Sequence, residues 1–209
     1  PLYVSTTGLS SNSGERDAPL RSIRQAAQLA LDGYEIVVAP GIYTEEVSTD
    51  RSGTPAQGIT LVADVTGTRS GEAPGPVLID VTGIRNAAGI ALSNSSDSTI
   101  DGFRVTGSAD AGIVLKSGSD GVTIRNCEAF ENSGDGIRVQ DSADVRVFNN
   151  LVHSNGQRGI VIAGQGAGSP DAEVIHNTIA RNGERGLTFG TTAAASPRAY
   201  VRNNILFEN

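Results

Sequence analysis

The 209-residue sequence predicts an all-β solenoid, in which short strands wind into stacked coils of about 23 residues beneath one N-terminal capping helix. Three observations predict it. A glycine followed by alternating apolar residues recurs as "GIAL", "GIVL", "GIRV", "GIVI" and "GLTF". These begin at Gly89, Gly112, Gly136, Gly159 and Gly186, at spacings of 23, 24, 23 and 27 residues. A second repeat places asparagines five residues apart, in "NNLVHSN" (149–155), "HNTIARN" (176–182) and "NNILFEN" (203–209). The composition agrees, with 26 Gly, few aromatic residues and a supply of Ile, Val and Leu for the core.

Each repeat reads as strands with one buried face, because the apolar residues alternate. In the Gly-led strand the inward pairs are Ile113 and Leu115, Ile137 and Val139, Ile160 and Ile162, and Leu187 and Phe189. In the following strand they are Val122 and Ile124, then Val145 and Val147, with Val174 and Val201 in the same column. A unit of this size cannot bury its own apolar face, whereas stacked units can. Stacking also accounts for the asparagines, since each repeated position lies above its equivalent and amides of successive coils pair into a ladder. Asn150, Asn177 and Asn204 are expected in one column with Cys127. Asn132, Asn155, Asn182 and Asn209 are expected in another, on an outer turn.

The N-terminal part departs from the repeat. Residues 18–31 carry Ile23, Ala26, Ala27, Leu29 and Ala30 on one helical stripe, with Asp17 as cap, Pro19 in the first turn and Gly33 beyond the end. This helix is expected to cover the open end of the stack. Residues 64–76 and 164–171 read as loops. The whole of 1–209 reads as one domain.

Net charge is −7, which argues against nucleic acid or an anionic membrane surface as the main partner. No apolar run reaches the length of a membrane span. A single cysteine rules out an internal disulfide. The sequence has no Met, so Pro1 is not expected to be a native start, and a leader or another upstream segment is expected before it. The chain stops on the last letter of a repeat with no polar cap. Ile160, Ile162, Leu187, Phe189 and Leu206 are therefore expected near an open face, covered by a further segment or by a second copy stacked end to end.

The stretches "YVSTTGLSSNSGERDAPLRSIRQAAQLA", "VVAPGIYTEEV", "TIDGFRVTGS", "TIRNCEAFENSGDGIRV" and "VFNNLVHSNGQRGIVI" resemble right-handed parallel β-helix proteins of the pectate-lyase-like superfamily. They are most similar to family 9 polysaccharide lyases. The resemblance covers nearly the whole chain. It implies a substrate groove over the sheet of Gly-led strands, where Lys116, Asp135, Arg138, Arg158 and Arg185 would form a mostly basic strip. It implies β-elimination on a uronate polymer, with Lys116 and Arg138 as catalytic residues and Arg158, Arg185 and Asp135 binding substrate. It implies an extracellular or cell-surface protein.

One departure bears on the cofactor. The family's calcium cluster resembles "NSDDGFD", and the matching segment here is "NSGDGIR", Asn132–Arg138. Asp135 is kept, while Gly134 and Arg138 replace carboxylates. Calcium takes several oxygen ligands, so this cluster is incomplete; the two alternatives are no cofactor, with Arg138 as the clamp on a substrate carboxylate, or Ca2+ held by an incomplete ligand set. Two function classes follow. One is a lyase-like protein acting on or binding an acidic polysaccharide. The other is a non-catalytic β-helix that binds glycans or builds surface structure, assembling end to end into filaments. His153 and His176 fall in different columns, and neither has a carboxylate or Cys at ligand spacing.

Overall fold

The chain forms three parallel sheets that run the length of a coil. A computed structural model describes residues 1–50, 58–164, 171–190 and 199–209. The first sheet has eight strands: Leu2–Val4, Glu35–Val38, Thr60–Ala63, Thr99–Asp101, Thr123–Arg125, Val145–Phe148, Ala172–Ile175 and Ala199–Arg202. The second sheet holds the Gly-led strands: Val47–Asp50, Ile90–Ser93, Ala111–Lys116, Asp135–Gln140, Arg158–Ala163 and Arg185–Phe189. The third comprises Gly41–Tyr43, Val77–Asp80, Arg104–Thr106, Glu128–Phe130, Leu151–His153, Thr178–Ala180 and Ile205–Phe207. Every strand pairs in parallel with its equivalent in the adjacent coil, at the usual spacing of about 4.8 Å.

The apolar alternation sets the register. Ile90, Ile113, Ile137, Ile160 and Leu187 stack in one column. Leu92, Leu115, Val139, Ile162 and Phe189 stack two residues on. Most of these side chains are fully buried, and one core runs along the axis of the stack. Sliding one strand by a residue would turn its Ile and Val outward, so the pattern fixes the pairing.

Polar columns sit at all three corners. Between the first and third sheets, Asn126, Asn149, His176 and Asn203 adopt the left-handed conformation, with φ of 55°, 55°, 58° and 54°. Each swings the chain so that the next residue, Cys127, Asn150, Asn177 or Asn204, points inward. Asn150 Oδ1 accepts the Cys127 N–H at 2.9 Å, Asn177 Oδ1 accepts the Asn150 N–H at 2.9 Å and Asn204 Oδ1 accepts the Asn177 N–H at 2.8 Å. The Nδ2 groups donate along the same column, at 3.0 Å from Asn150 to Asn177 and from Asn177 to Asn204.

The corner between the third and second sheets repeats the device with Asn132, Asn155, Asn182 and Asn209, whose amides link at 2.9, 2.9 and 2.7 Å. This column was expected on an outer turn. It is internal, with Asn132, Asn155 and Asn182 all buried, because left-handed Glu131, Ser154 and Arg181 turn the following side chain inward. The third corner uses serine. Ser119 Oγ accepts the Ser95 N–H at 3.3 Å, and Ser142 Oγ accepts the Ser119 N–H at 3.2 Å.

The helix is shorter than the sequence suggests. It spans Ile23–Leu29, not 18–31, and its cap is Ser22, not Asp17. The residues before it are used otherwise, since Leu20 bridges to Val4 and donates its N–H to Tyr3 O at 2.9 Å. The first turn is held by Glu45, whose carboxylate accepts the N–H groups of Ile23 and Arg24 at 2.8 and 3.2 Å. Ile23, Ala26, Ala27 and Ala30 face the core, while Leu29 is exposed.

Residues 64–76 contain no strand up to Val77, and the Asp64 carboxylate ties this loop by accepting from Arg69 N and Ser70 N at 2.9 and 2.7 Å. Of the other expected loop, residues 165–170 lie outside the described residues. Ile160 and Ile162, expected near an open face, are fully buried beneath the last coil. The exposed apolar side chains there are Tyr200, Val201, Ile205, Leu206 and Phe207, with Phe189 partly exposed.

Two outcomes test these corners. Asn177→Ala removes the acceptor for both the Asn150 N–H and Nδ2. It should cost about 2–4 kcal/mol in urea denaturation, as two buried donors lose their partner. Asn204→Ala, in a half-buried position, should cost less. Cys127 is buried in the same column, and burial pushes its thiol pKa up to about 12. It should not react with a thiol reagent at pH 8 in the native protein, and should react fully once the protein is unfolded.

Candidate functional site on the outer face of the second sheet

The outward column of the second sheet reads Ser48, Ala91, Val114, Arg138, Val161 and Thr188. Val114 and Val161 are fully buried although they point away from the core. Arg138 therefore rises between two apolar walls, with 20% of its side chain exposed. Its guanidinium spans two carboxylates. One NH2 group pairs with Asp110, and NH1 lies 3.4 Å from Asp135 Oδ2.

Asp135 was expected on the surface. It is fully buried, because its side chain folds against Arg158. Its carboxylate accepts the Arg158 backbone N–H at 3.2 Å, Nε at 2.9 Å and NH2 at 3.1 Å. A carboxylate removed from water requires this degree of pairing. Lys116 Nζ stands 3.9 Å from Asp110 Oδ2, a loose pair that leaves the ammonium half in solvent. Arg185 lies one coil beyond Arg158, in register with it and exposed. It has no hydrogen-bond or ion partner among the described residues.

Four of the expected residues thus form one cluster, namely Lys116, Asp135, Arg138 and Arg158, and Arg185 extends it by a coil. The residue that sequence reasoning missed is Asp110, which joins Lys116 to Arg138. Its signal was present as an acidic residue just ahead of a Gly-led strand, one repeat before Asp135. Four cations against two carboxylates leave this strip positive on a protein of charge −7. Two buried polar atoms on the same face, Arg138 Nε and Thr188 Oγ1, have no hydrogen-bond partner among the described residues.

The residues present do not fit the calcium cluster that the resemblance implies. A Cβ on Gly134 would sit 1.5 Å from the backbone O of Asp110, so a carboxylate cannot be carried there without moving the neighbouring coil. Both oxygens of Asp135 are committed to Arg158 and Arg138. Among the described residues no three His, Cys, Asp or Glu side chains converge.

The profile of the family "Right handed beta helix region" matches residues 66–178, more than half of the chain. The chain belongs to this family, and its coils are those of a right-handed parallel β-helix. No curated sequence matches it. Among solved structures it is similar to the pectate lyase Pel9A, with TM-score 0.64 and 18% identity over 87% of this chain and 54% of that one. The chain therefore spans about half the length of that enzyme. An alginate lyase from Paenibacillus sp. str. FPU-7 gives TM-score 0.63 and 19% identity over 90% of this chain and 74% of that one. A rhamnogalacturonan lyase gives TM-score 0.56 and 13% identity over 100% and 68%. At these identities the likeness is one of fold. Among the described residues no helix is long and apolar enough to cross a membrane.

The contact at Gly134 gives a direct test. Gly134→Asp, made to restore the family pattern, should lower stability by about 3 kcal/mol through overpacking. Calcium should not recover the loss in a thermal melt.

Proposed function

We propose that the outer face of the second sheet binds an acidic, uronate-containing polysaccharide and cleaves it by β-elimination. The observation that carries this reading is the excess of cations on one strip, with Lys116 and Arg185 facing solvent. A polymer bearing a carboxylate on each sugar meets a cation at each coil: Lys116, Arg138, Arg158 and Arg185 occupy successive levels of the stack. Charge-assisted hydrogen bonds from guanidinium groups suit carboxylates in particular.

In this reading Arg138 holds the substrate carboxylate and withdraws charge from it, which acidifies the C5 proton. Lys116 Nζ, acting from its neutral amine form, takes that proton and becomes the ammonium. The C5–H electron pair becomes the C4=C5 double bond, and the C4–O bond breaks with the leaving oxygen taking up a proton. Asp135 acts through the two guanidinium groups it holds, as a positioning residue. Asp110 sets the separation of Lys116 and Arg138. The substrate class implies work outside the cell or at its surface, where such polymers lie.

One observation favours a second reading, in which the strip binds without cleaving. Asp110 and Asp135 already engage three of the four cations, which suits a fixed binding surface better than a mobile proton acceptor.

Absorbance of unsaturated uronate products, measured on polygalacturonate and alginate with and without calcium, separates these readings. Product formation is expected without calcium. Lys116→Ala and Arg138→Ala should each lower the rate by about 10²–10⁴-fold in a folded protein, the range for loss of an acid–base group. Full activity in Lys116→Ala would reject it as the base. Salt-sensitive binding with no product would establish the second reading, and neither binding nor product on any polyuronate would overturn both.

A further inference from the structure

A second groove lies on the outer face of the first sheet, away from the strip. A cleft of about 490 Å³ is lined by Arg125, Phe148, Ile175 and His176 together with Arg146 and Glu173. A smaller one of about 140 Å³ is lined by Asp144, Asp171, Tyr200 and the same Arg146 and Glu173. The shared pair makes the two clefts continuous. Phe148 stands at one end and Tyr200 at the other, both well exposed at 42% and 57%. The register places Tyr200 two coils above Arg146, on the column next to that of Phe148. The aromatic groups are thus roughly 10 Å apart along the axis.

The cations of the groove are each paired with a carboxylate. Arg146 Nε lies 2.9 Å from Glu173 Oε2, and Arg125 Nε donates to Asp101 Oδ2 at 2.9 Å. With Asp144 and Asp171 also in the lining, two cations face four carboxylates, and the groove carries no excess of positive charge. The Phe148 ring is held by the edge of His176, with centroids 5.7 Å apart and planes at 90°. The ring is therefore steadied in place and still presents surface to solvent.

We propose that this groove is a binding subsite for an uncharged sugar chain. A sugar ring has a C–H face, which stacks on an aromatic ring, and a rim of hydroxyls that both donate and accept. The groove offers that combination: exposed aromatic surface at each end, and between them guanidinium donors beside carboxylate acceptors. The alternatives fit less well. An apolar protein partner would bury two ion pairs without replacing their contacts with water, which is costly. A strand cannot add here, because this is a sheet face and not an edge. A polyanion finds no net positive charge. The proposal does not rest on the lyase reading, since it concerns another sheet and another charge class.

The test is nuclear magnetic resonance titration of the whole protein with cellohexaose, xylohexaose and mannohexaose, with trigalacturonate as the charged comparator, each at low and high salt. At least one uncharged oligomer should shift the signals of Phe148, His176 and Tyr200, with an affinity that salt does not change. Phe148→Ala and Tyr200→Ala, at exposed positions where folding is checked by a thermal melt, should each weaken that binding about tenfold. The proposal is overturned if none of the three uncharged oligomers shifts these signals. It is equally overturned if Phe148→Ala keeps full affinity, or if only trigalacturonate occupies the groove and does so with strong salt dependence. Charged oligomers report on the second sheet and uncharged ones on the first, so either reading can fail alone.

Discussion

The coils from Ser95 onward depend on one two-residue device: a residue in the left-handed conformation, followed by a buried side chain that accepts a backbone N–H from the coil before it. A parallel β-helix must change direction three times per turn, and each bend interrupts the strand hydrogen bonds. The N–H groups freed at a bend would be buried without partners, at about 1–3 kcal/mol each. Asn150, Asn177 and Asn204 meet that need at one corner, Asn132, Asn155, Asn182 and Asn209 at the second, and Ser95, Ser119 and Ser142 at the third. Only with these corners closed can the Ile, Val and Leu columns face each other. The left-handed positions themselves fall on Asn, Asp, Gly, Ser, His, Glu and Arg, and none is β-branched.

That rigidity decides what the outer faces can carry. A side chain on a given strand position recurs at each coil, so a surface on this fold is a printed array more than a folded pocket. On the second sheet Arg138 stands between Val114 and Val161, with Lys116 and Arg158 at strand ends, and Asp110 and Asp135 hold these three cations. The backbone also constrains which residues are admissible. Gly134 is needed where it stands because Asp110 O occupies the space of a side chain. The side chain of the same Asp110 pairs with Arg138, so both residues answer to the neighbouring coil.

Much of the architecture was legible because the chain repeats itself. A period seen five times fixed the strands, their inward faces and two of the three polar columns. The serine column went unseen because Ser is common in turns, and Ser95, Ser119 and Ser142 lie among other Ser, Asp and Gly residues. The helix was overextended because 18–22 carry helix-start signals, while Leu20 is claimed by a strand contact with Val4 that lies far off in local pattern. The cations could be read onto one sheet from their places in the repeat, but their internal pairing could not. Asp110 and Asp135 come from different coils, and burial of Asp135 follows from Arg158 folding across it, a contact between side chains 23 residues apart. The groove on the first sheet left no signature in the repeat, because its aromatic groups, Phe148 and Tyr200, stand on different columns.

The polar columns also have a direction. In both asparagine series the acceptor oxygen comes from the coil nearer the C-terminus and the N–H from the coil nearer the N-terminus, at every step described. A coil is therefore saturated only when its successor has been laid down. Synthesis from the N-terminus delivers the coils in that order, so the growing end always exposes unsatisfied donors that the next segment of nascent chain is shaped to quench. The stack is thus polar along its axis, with the donors of each coil met by the coil that follows it.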